Sequence, residues 1–427
     1  MLLLYRVFTN LLYPIFIIII FFRMLLKKED NKRYKEKIFY NYFNAKIKNQ
    51  SNLIWFQAAS IGEFKSILPI LESLNRQYNN LEFLITTTTL SSSYLAKKEL
   101  KKFHNAQHRF FPIDVRFLIS KFLSEWRPRA IFFVDSEIWP NLILEAKKKK
   151  IPLILINARI TSKTFKRWMI IPKVAKKIFN CFNLCLASSK ETERHLKELN
   201  ANNISFSGNL KLIGELSKSM LSSSNVDVLK KNKFWLAAST HKGEEGFCIY
   251  THLYLKKKYK NVKTIIVPRH IDRTNKIKKL CESYKLTTQV LNLDETISDS
   301  SEIIIINSFG VLSGFYKCIK SVFIGKSLLK KLENVGGQNP VDAAKAGCKI
   351  YHGPYVYNFK EIYDILEKYN ISKVVKNSAA LSEFLIKDFD NYENKNVEFT
   401  DLIKKLGQRT LTDTMTRINN FLINEIK

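Results

Sequence analysis

Acidic side chains follow two apolar segments of this sequence, at positions where a carboxylate can act as a base. Glu63 ends the stretch "LIWFQAASIGE", and Asp135 and Glu137 follow "AIFFV". A carboxylate held at the end of a strand can take the proton of a hydroxyl group during group transfer. The alternative is structural: Ser60 and Glu63 fit an S-x-x-E capping box before a helical apolar pattern. For Asp135, the alternative is an acid that faces a helix dipole.

A second set of residues has the chemistry of anion binding. Arg269 closes the strand-like segment "IIVPRH", and a guanidinium can grip a phosphate through two parallel hydrogen bonds. The segment "GGQNPVDAA" (336–344) predicts a glycine turn and a helix with Asn339 as N-cap, Pro340 at the first position and Asp342 at the third. Its free amides could hold an anion, and the Asp342 carboxylate could accept from ribose hydroxyls.

Other polar segments are weaker candidates. His241 with Glu244 or Glu245 has residue types of a metal site, but no third ligand is spaced nearby, which favours a polar cluster at a helix start. The stretch "TTTTLSSS" (86–93) predicts a polar loop after a strand, with hydroxyls that could meet a sugar. The six cysteines form no C-x-x-C pair, which indicates neither a zinc site nor a disulfide framework and predicts a reduced protein on the cytoplasmic side.

Short apolar runs alternate with helix-like segments and must position these residues. The alternation predicts an α/β fold with parallel sheets, in which ligands bind at the carboxyl ends of the strands. A Lys/Ser-rich stretch separates two such regions, which open alike with "FQAASIGE" and "LAASTHKGEE". The predicted domains are an N-terminal anchor at 1–30, a first Rossmann-like domain at 31–213, a linker at 214–233, a second Rossmann-like domain at 234–395, and a helical segment at 396–427. The predicted strands are 53–58, 82–88, 130–134, 152–157 and 184–188, then 234–239, 262–267, 302–306, 321–325 and 348–353.

Charge and hydropathy point to an anionic membrane surface. The 427 residues include 70 Lys and Arg against 38 Asp and Glu, a formal charge of +32 that favours anionic partners. The apolar run "LLYPIFIIIIFF" (11–22), with the mostly apolar segment before it, predicts a retained anchor, and a buried core helix is the alternative. The basic residues that follow would hold the main body on the cytoplasmic side.

Eight motifs occur in an order that resembles one family of enzymes. They are "AASIGEF", "VDSEIWPNLI", "INARIT", "SGNLK", "AASTHKGEE", "VPRH", "GGQNPVDAA" and "GPYVYNF". Together they make the chain resemble the bacterial transferases of 3-deoxy-manno-octulosonate (Kdo). The resemblance implies a GT-B glycosyltransferase fold with two Rossmann-like domains facing each other across a cleft, and no metal or other cofactor.

The resemblance also implies roles for individual residues. Glu63 would be the base, and Asp135 and Lys211 would stabilise the transition state. The residues expected to bind CMP are Pro268, Arg269, Phe309, Gly310, Val311, Asn339, Pro340, Val341 and Asp342. Three positions depart from the family pattern, because the family has glutamate where this chain has Asp135, Val311 and Asp342.

The expected function is therefore inverting, metal-independent transfer of Kdo from CMP-Kdo to the lipid A precursor lipid IV(A), at the cytoplasmic side of the bacterial inner membrane. The nearest alternative is a membrane-associated GT-B glycosyltransferase that uses a different nucleotide sugar, which the lost glutamate at Val311 favours. A membrane-tethered nucleic-acid binder is the alternative from another class, but no nucleic-acid motif supports it and no nucleic-acid partner is expected.

Overall fold

The computed structural model describes residues 1–45, 52–214, 216, 219–391 and 397–425, which fold as two compact units. The first unit comprises Met1–Gly214 with Gly407–Lys427, and the second comprises Glu215–Leu406. The chain thus returns to the first unit at its C-terminus, within the segment predicted to be helical.

The first unit contains a parallel sheet of seven strands in the order β3-β2-β1-β4-β5-β6-β7. Its central strands are continuous apolar runs that are buried on both faces, as a sheet covered by helices on both sides requires. The bounds are β1 Leu53–Gln57, β2 Glu82–Thr87, β3 Ala106–Phe110, β4 Ala130–Val134, β5 Leu153–Ala158, β6 Leu184–Ala187 and β7 Ile204–Phe206.

Helices cover both faces of this sheet. On one face, helices α5, α6, α8 and α9 pack on the sheet and form one apolar core. On the other face, α3 and the C-terminal helix form a second core, to which the C-terminal helix contributes Met415, Ile418 and Phe421. The bounds are α1 Leu2–Leu11, α2 Tyr13–Leu25, α3 Ile61–Gln77, α4 Leu90–Glu99, α5 Arg116–Trp126, α6 Pro140–Lys148, α7 Ser162–Trp168, α8 Pro172–Phe179 and α9 Lys190–Glu198, with the C-terminal helix at Val397–Glu425.

The N-terminal apolar segment forms two short helices and not one long one. Helices α1 and α2 are bent by 54° at their junction. Within the described residues no single helix is long and apolar enough to cross a bilayer. The two helices of this bent pair together have the length and apolar composition of a membrane span. Many of its apolar side chains are exposed, including Phe8, Ile18 and Phe22.

The second unit contains another parallel sheet of seven strands, in the order β10-β11-β9-β8-β12-β13-β14. The bounds are β8 Lys233–Thr240, β9 Val262–Pro268, β10 Thr288–Leu291, β11 Ile303–Ile306, β12 Ser321–Ile324, β13 Lys349–His352 and β14 Ser372–Val374. Its helices are α10 Ser223–Lys231, α11 Glu245–Lys256, α12 Thr274–Ser283, α13 Leu312–Cys318, α14 Val341–Lys345, α15 Lys360–Lys368 and α16 Ser378–Asp390. The C-terminal helix described above, Val397–Glu425, is α17.

The predicted α/β class and the ten predicted strands are confirmed. The strands that the sequence did not predict are β3, β7, β10 and β14, which are the outermost strands of the two sheets. Edge strands pack on fewer neighbours, so they need no continuous apolar run, and the polar sequence of β3, "AQHRF", illustrates this. Helix α10 lies within the stretch predicted as a linker, of which residues 215, 217 and 218 lie outside the described part of the chain.

Left-handed backbone marks the carboxyl ends of several central strands. Asp135, Asn157, Ser239 and Lys326 have positive φ angles of 61°, 49°, 57° and 58°. A non-glycine residue in this region carries a backbone cost, and such residues cluster at functional sites. The edges at which the parallel strands end are therefore the candidate positions for a functional site.

Candidate active site

Glu63 lies in the first turn of α3, directly after the end of β1. Ser60 is the N-cap, and its hydroxyl accepts a hydrogen bond from the Glu63 amide at 3.4 Å. The Glu63 carboxylate accepts from the Ala59 amide at 2.7 Å and from the Ser60 hydroxyl at 3.0 Å. The capping interaction of the structural alternative is therefore present, and it fixes the carboxylate at the strand end.

The pKa of Glu63 is raised to about 7 from its usual 4.5. Burial is the largest cause, and the negative charges of Glu137 and Asp135 add to it, while the hydrogen bonds from Ser60 and Ala59 lower the pKa. Capping alone would favour the charged form, so desolvation outweighs it here. A carboxyl group with a pKa near neutrality has the ionisation expected of a general base.

Asp135 and Lys211 form an ion pair at the same edge of the sheet. Asp135 follows β4, which pairs with β1, and its carboxylate lies 2.6 Å from the Lys211 ammonium. The side chains are 6% and 17% exposed, so little water screens the pair. Although Asp135 is one methylene shorter than glutamate, it reaches the Lys211 side chain.

Two asparagine side chains and a close helix contact hold the segment that carries Lys211. The Asn157 side chain accepts from the Leu210 amide at 2.9 Å, and the Asn209 side chain accepts from the Lys211 amide at 3.0 Å. A Cβ atom at Gly407 of α17 would lie 2.7 Å from the Leu212 carbonyl oxygen, so only glycine permits this approach. Lys211 thus sits where the C-terminal helix packs on the first unit.

A buried polar network supports Glu137, and the sequence analysis did not predict it. The Trp139 indole donates to Glu137 at 2.7 Å, and Gln57 donates to the same oxygen at 3.2 Å. Gln57 in turn accepts from the Thr86 hydroxyl, which accepts from the Trp55 indole. Burial raises the pKa of Glu137, and the charge of Asp135 adds to that effect. The signal in the sequence was Gln57 itself, a polar residue in an otherwise apolar strand.

The residues expected to bind CMP all lie in the second unit, and two groups of them follow neighbouring strands. Pro268 ends β9, and the Arg269 amide donates to the Thr240 carbonyl at the end of β8. Phe309, Gly310 and Val311 follow β11, which pairs with β9. Phe309 is exposed, Gly310 has a φ of +80°, and Val311 is the N-cap of α13 without a side-chain cap.

The third group surrounds the start of α14, where the predicted helix boundary is wrong by one residue. Pro340 occupies the N-cap position and Val341 is the first helical residue, so Asp342 is at the second position. Asn339 still caps through its side chain, which accepts from the Val341 amide at 3.1 Å. The Pro340 carbonyl accepts the first intrahelical hydrogen bond, from the Ala344 amide at 3.0 Å, which places Pro340 at the N-cap position. The side chains of Pro340 and Val341 are buried.

Glu244 links the end of β8 to the turn after β12. Its carboxylate accepts from four backbone amides, those of His241, Lys326, Ser327 and Leu328, at 2.9, 2.7, 2.8 and 3.1 Å. Glu245 pairs instead with Arg273 at 2.8 Å. The cluster "HKGEE" is thus a polar cluster at the start of α11, which is the interpretation that the sequence favoured. Within the described residues no group of three or more His, Cys, Asp or Glu could hold a metal ion.

Lys326 is a cation that the sequence analysis did not single out. Its amide is held by Glu244, and its carbonyl accepts from the Gly337 amide at 2.6 Å. Burial and the nearby Arg269 charge lower the pKa of Lys326. Arg269, Lys326 and the "GGQNP" turn therefore converge at one edge of the sheet. The sequence signal for Lys326 was a lysine in the turn "IGKS" directly after an apolar strand. The structure adds that Lys326 has a left-handed backbone.

Comparison with known proteins gives one family and a consistent set of relatives. Residues 32–213 match the family model described as 3-deoxy-D-manno-octulosonic-acid transferase (kdotransferase). A probable mitochondrial 3-deoxy-D-manno-octulosonic acid transferase of Arabidopsis thaliana is 29% identical, over 97% of this chain and 95% of that protein. The 3-deoxy-D-manno-octulosonic acid transferase of Rickettsia bellii is 28% identical, over 94% and 96% of the two chains. That of Aquifex aeolicus is 29% identical, over 78% and 85%.

Solved structures share the fold across both units. A putative UDP-N-acetylglucosamine 2-epimerase of Listeria monocytogenes superposes with a TM-score of 0.59 at 11% identity, covering 88% of this chain and 97% of that one. Anabaena HepE, solved in complex with UDP and glucose, gives a TM-score of 0.54 at 9% identity over 86% and 99%. At such low identity these matches establish the fold alone, which is the GT-B fold.

Proposed function

Because the chain belongs to the family of 3-deoxy-D-manno-octulosonic acid (Kdo) transferases, which are glycosyltransferases, we propose that it transfers Kdo from CMP-Kdo to the lipid A precursor lipid IV(A). The observation that carries the proposal is the convergence of Glu63, Asp135 and Lys211 at one edge of the first sheet. These are the residues to which the family resemblance gives the roles of base and transition-state stabilisers.

Glu63 is proposed to accept the proton of the attacking hydroxyl group of the acceptor. The oxygen then forms the new bond to Kdo while the bond to CMP breaks, and the proton remains on the Glu63 carboxyl. Attack from the face opposite the leaving group inverts the sugar carbon. A pKa raised to about 7 supports this role, because the carboxylate can then hold the proton as the bond forms.

Lys211 and Asp135 are proposed to stabilise the charge that develops during the transfer. A fixed ammonium favours the growing negative charge of a leaving phosphate, and preorganisation makes that effect large. The Asp135 carboxylate at 2.6 Å holds Lys211 in one orientation and limits its movement. No metal ion is needed in this scheme.

The second unit is proposed to bind the CMP portion of the donor. Arg269 suits the phosphate through its exposed guanidinium, and Phe309, Gly310, Val311 and the Asn339–Asp342 segment line the same edge of the sheet. Both groups of residues lie at the carboxyl ends of parallel strands, which is where doubly wound sheets bind their ligands.

The enzyme is proposed to work on the cytoplasmic side of the bacterial inner membrane. The exposed apolar side chains of α1 and α2 support an association with lipid, and the net charge of +32 favours an anionic bilayer. The bent pair is compatible with a broken span or with a segment lying in the interface.

The decisive experiment measures transfer from CMP-Kdo to lipid IV(A) in the presence of EDTA, for the wild type and for Glu63→Gln. We expect activity in the wild type and loss of at least 100-fold in the variant, since a general base contributes on this order. Glutamine keeps an oxygen for the Ala59 amide and an amide group for Ser60, so the variant should fold. Equal activity would reduce Glu63 to a helix cap, and no transfer by a folded wild type would overturn the proposed function.

The second candidate function is transfer from a different nucleotide sugar. It is favoured by Val311, whose side chain cannot accept the hydrogen bond that the family glutamate can accept. Competition with free nucleotides separates the two functions. Inhibition by CMP and not by UDP supports the Kdo donor, and the reverse result supports the alternative.

A further inference from the structure

A shallow cavity of about 380 Å³, open to solvent on one side, lies between the end of α2 and the start of α4, outside the residues assigned above. It is lined by Arg23, Lys28, Thr89, Leu90, Ser91 and Tyr94. Two cationic side chains and two hydroxyl groups contribute to a lining that is otherwise largely apolar, and cations and hydroxyl donors are the groups that bind a phosphate. The first turn of α4 contains no acidic residue, whereas α3 carries Glu63 at the corresponding place.

The segment "TTTTLSSS" was predicted as a loop, but it forms the end of β2 and the start of α4 and contributes to this lining. Thr86 and Thr87 belong to β2, Thr89 is the N-cap of α4, and the α4 helix begins at Leu90. The Thr89 hydroxyl accepts from the Ser92 amide at 3.2 Å. Thr89 and Ser91 therefore line the cavity from the first turn of α4, and the capping hydrogen bond fixes the Thr89 hydroxyl.

Chain neighbours of the cavity lining are hydrogen-bonded to the turn that carries the proposed base. The Ala59 carbonyl accepts from the Thr88 hydroxyl at 3.0 Å and from the Ser92 hydroxyl at 3.3 Å. The amide of the same Ala59 donates to the Glu63 carboxylate at 2.7 Å. A molecule bound in the cavity would therefore lie beside the turn that positions Glu63.

The cavity also adjoins the exposed apolar surface of α2. Phe21, Phe22 and Leu25 are exposed next to Arg23, in the last turns of that helix. A buried ion pair connects this end of α2 to the residue before the α4 N-cap, because Glu29 binds both Arg23 and Lys37, and Lys37 donates to the Thr88 carbonyl at 2.8 Å. An apolar surface, a cationic cavity and a base thus follow one another within the first unit.

We propose that this cavity binds a phosphate group of the glycolipid acceptor, with the acyl chains along α2 and the attacking hydroxyl toward Glu63. Lys28 and the Ser91 hydroxyl would bind the phosphate directly, and Arg23 would share its charge between Glu29 and the phosphate. The inference rests on the proposed function, since it names the place where that function receives its acceptor.

The test compares Lys28→Gln and Ser91→Ala with the matched control Lys27→Gln, which removes the same charge one residue away from the cavity lining. KM and kcat are measured with lipid IV(A) and with the analogues that lack one or the other of its two phosphates. For Lys28→Gln we expect KM for lipid IV(A) to rise about tenfold, the loss typical of one charge-assisted hydrogen bond, with kcat and the KM for CMP-Kdo unchanged.

The analogue that lacks the phosphate bound by Lys28 should show a wild-type KM that is raised by a similar factor. With that analogue, Lys28→Gln should raise the KM little further. This non-additivity identifies a direct partnership between the lysine and that phosphate. Equal effects of Lys28→Gln and Lys27→Gln, or full additivity with both analogues, would overturn the inference and leave the proposed function intact.

A binding measurement without donor decides the inference even if no transfer occurs. Binding of the wild type and Lys28→Gln to lipid IV(A) in neutral detergent micelles is compared with binding to phosphatidylglycerol micelles and to inorganic phosphate. A loss specific to lipid IV(A) supports the inference. The same loss with phosphatidylglycerol or with free phosphate would show a general anion site and overturn it.

Discussion

The Lys211 ammonium lies 2.6 Å from the Asp135 carboxylate, although the two residues are 76 positions apart in the chain. Asp135 adopts a left-handed backbone at the end of β4, and Lys211 is carried by a segment on which α17 packs. Both side chains are largely withdrawn from solvent, so their charges compensate each other with little screening by water.

We expect Asp135→Asn to lower the free energy of unfolding by about 3 kcal/mol, because the substitution removes the charge of one partner of a largely buried ion pair. Asparagine tolerates the left-handed backbone, so the loss reports charge and not strain. The double variant Asp135→Asn/Lys211→Met should recover part of the stability. Urea denaturation measures this, and Asp364→Asn, in an exposed ion pair with Lys360, serves as a control that should change stability by less than about 1 kcal/mol. A loss as small as that of the control would contradict the prediction.

The pH dependence of transfer should report the ionisation of Glu63. A base must be unprotonated to act, so kcat/KM should rise with pH through a pKa of about 7. Glu137→Gln removes one of the charges that raise this pKa and keeps an oxygen for Trp139 and Gln57, so the rising limb should move to lower pH. The exposed Glu198→Gln in the same unit is the control and should leave the profile in place. An unshifted profile in Glu137→Gln would show that Glu137 does not act on the base.

Stability should depend on pH through the same group, with a sign opposite to the usual one for a carboxylate. The folded-state pKa of Glu63 is raised, so the folded protein binds more protons than the unfolded chain between about pH 4.5 and 7. Stability from this group is therefore lost as the pH rises through that window. The Tm of Glu63→Gln minus that of the wild type should be larger at pH 8 than at pH 4.5. Glu72→Gln, on the exposed side of α3, should show no such trend, and a trend in the opposite direction would contradict the raised pKa.

Lys326→Gly should separate stability from donor binding. Lys326 has a φ of 58°, a conformation that glycine adopts without strain, so the variant should be at least as stable as the wild type. Loss of a cation beside Arg269 should weaken CMP binding roughly tenfold in calorimetry. Lys285→Gly is the matched control, because Lys285 has the same φ of 58° after α12. If both variants bind CMP as the wild type does, Lys326 plays no part in the donor site.

The sequence by itself determined the α/β class, the central strands and the turns at which Glu63, Asp135 and Arg269 lie. These features are local, since a buried parallel strand needs an apolar run and a helix start needs a capping residue. The edge strands could not be found in this way, because their pairing depends on a neighbour and their own composition is mixed.

The chemistry of the candidate site was decided by tertiary structure. The raised pKa of Glu63 comes from burial and from acids that follow a neighbouring strand, and the pairing of Asp135 with Lys211 joins distant segments of chain. The cavity between α2 and α4 joins residues about 60 positions apart, and the Glu29–Lys37 pair and the hydrogen bond from Lys37 to Thr88 connect the two segments that line it. Charge interactions and desolvation act through space, so the order of residues along the chain does not specify them, and only the packed fold does.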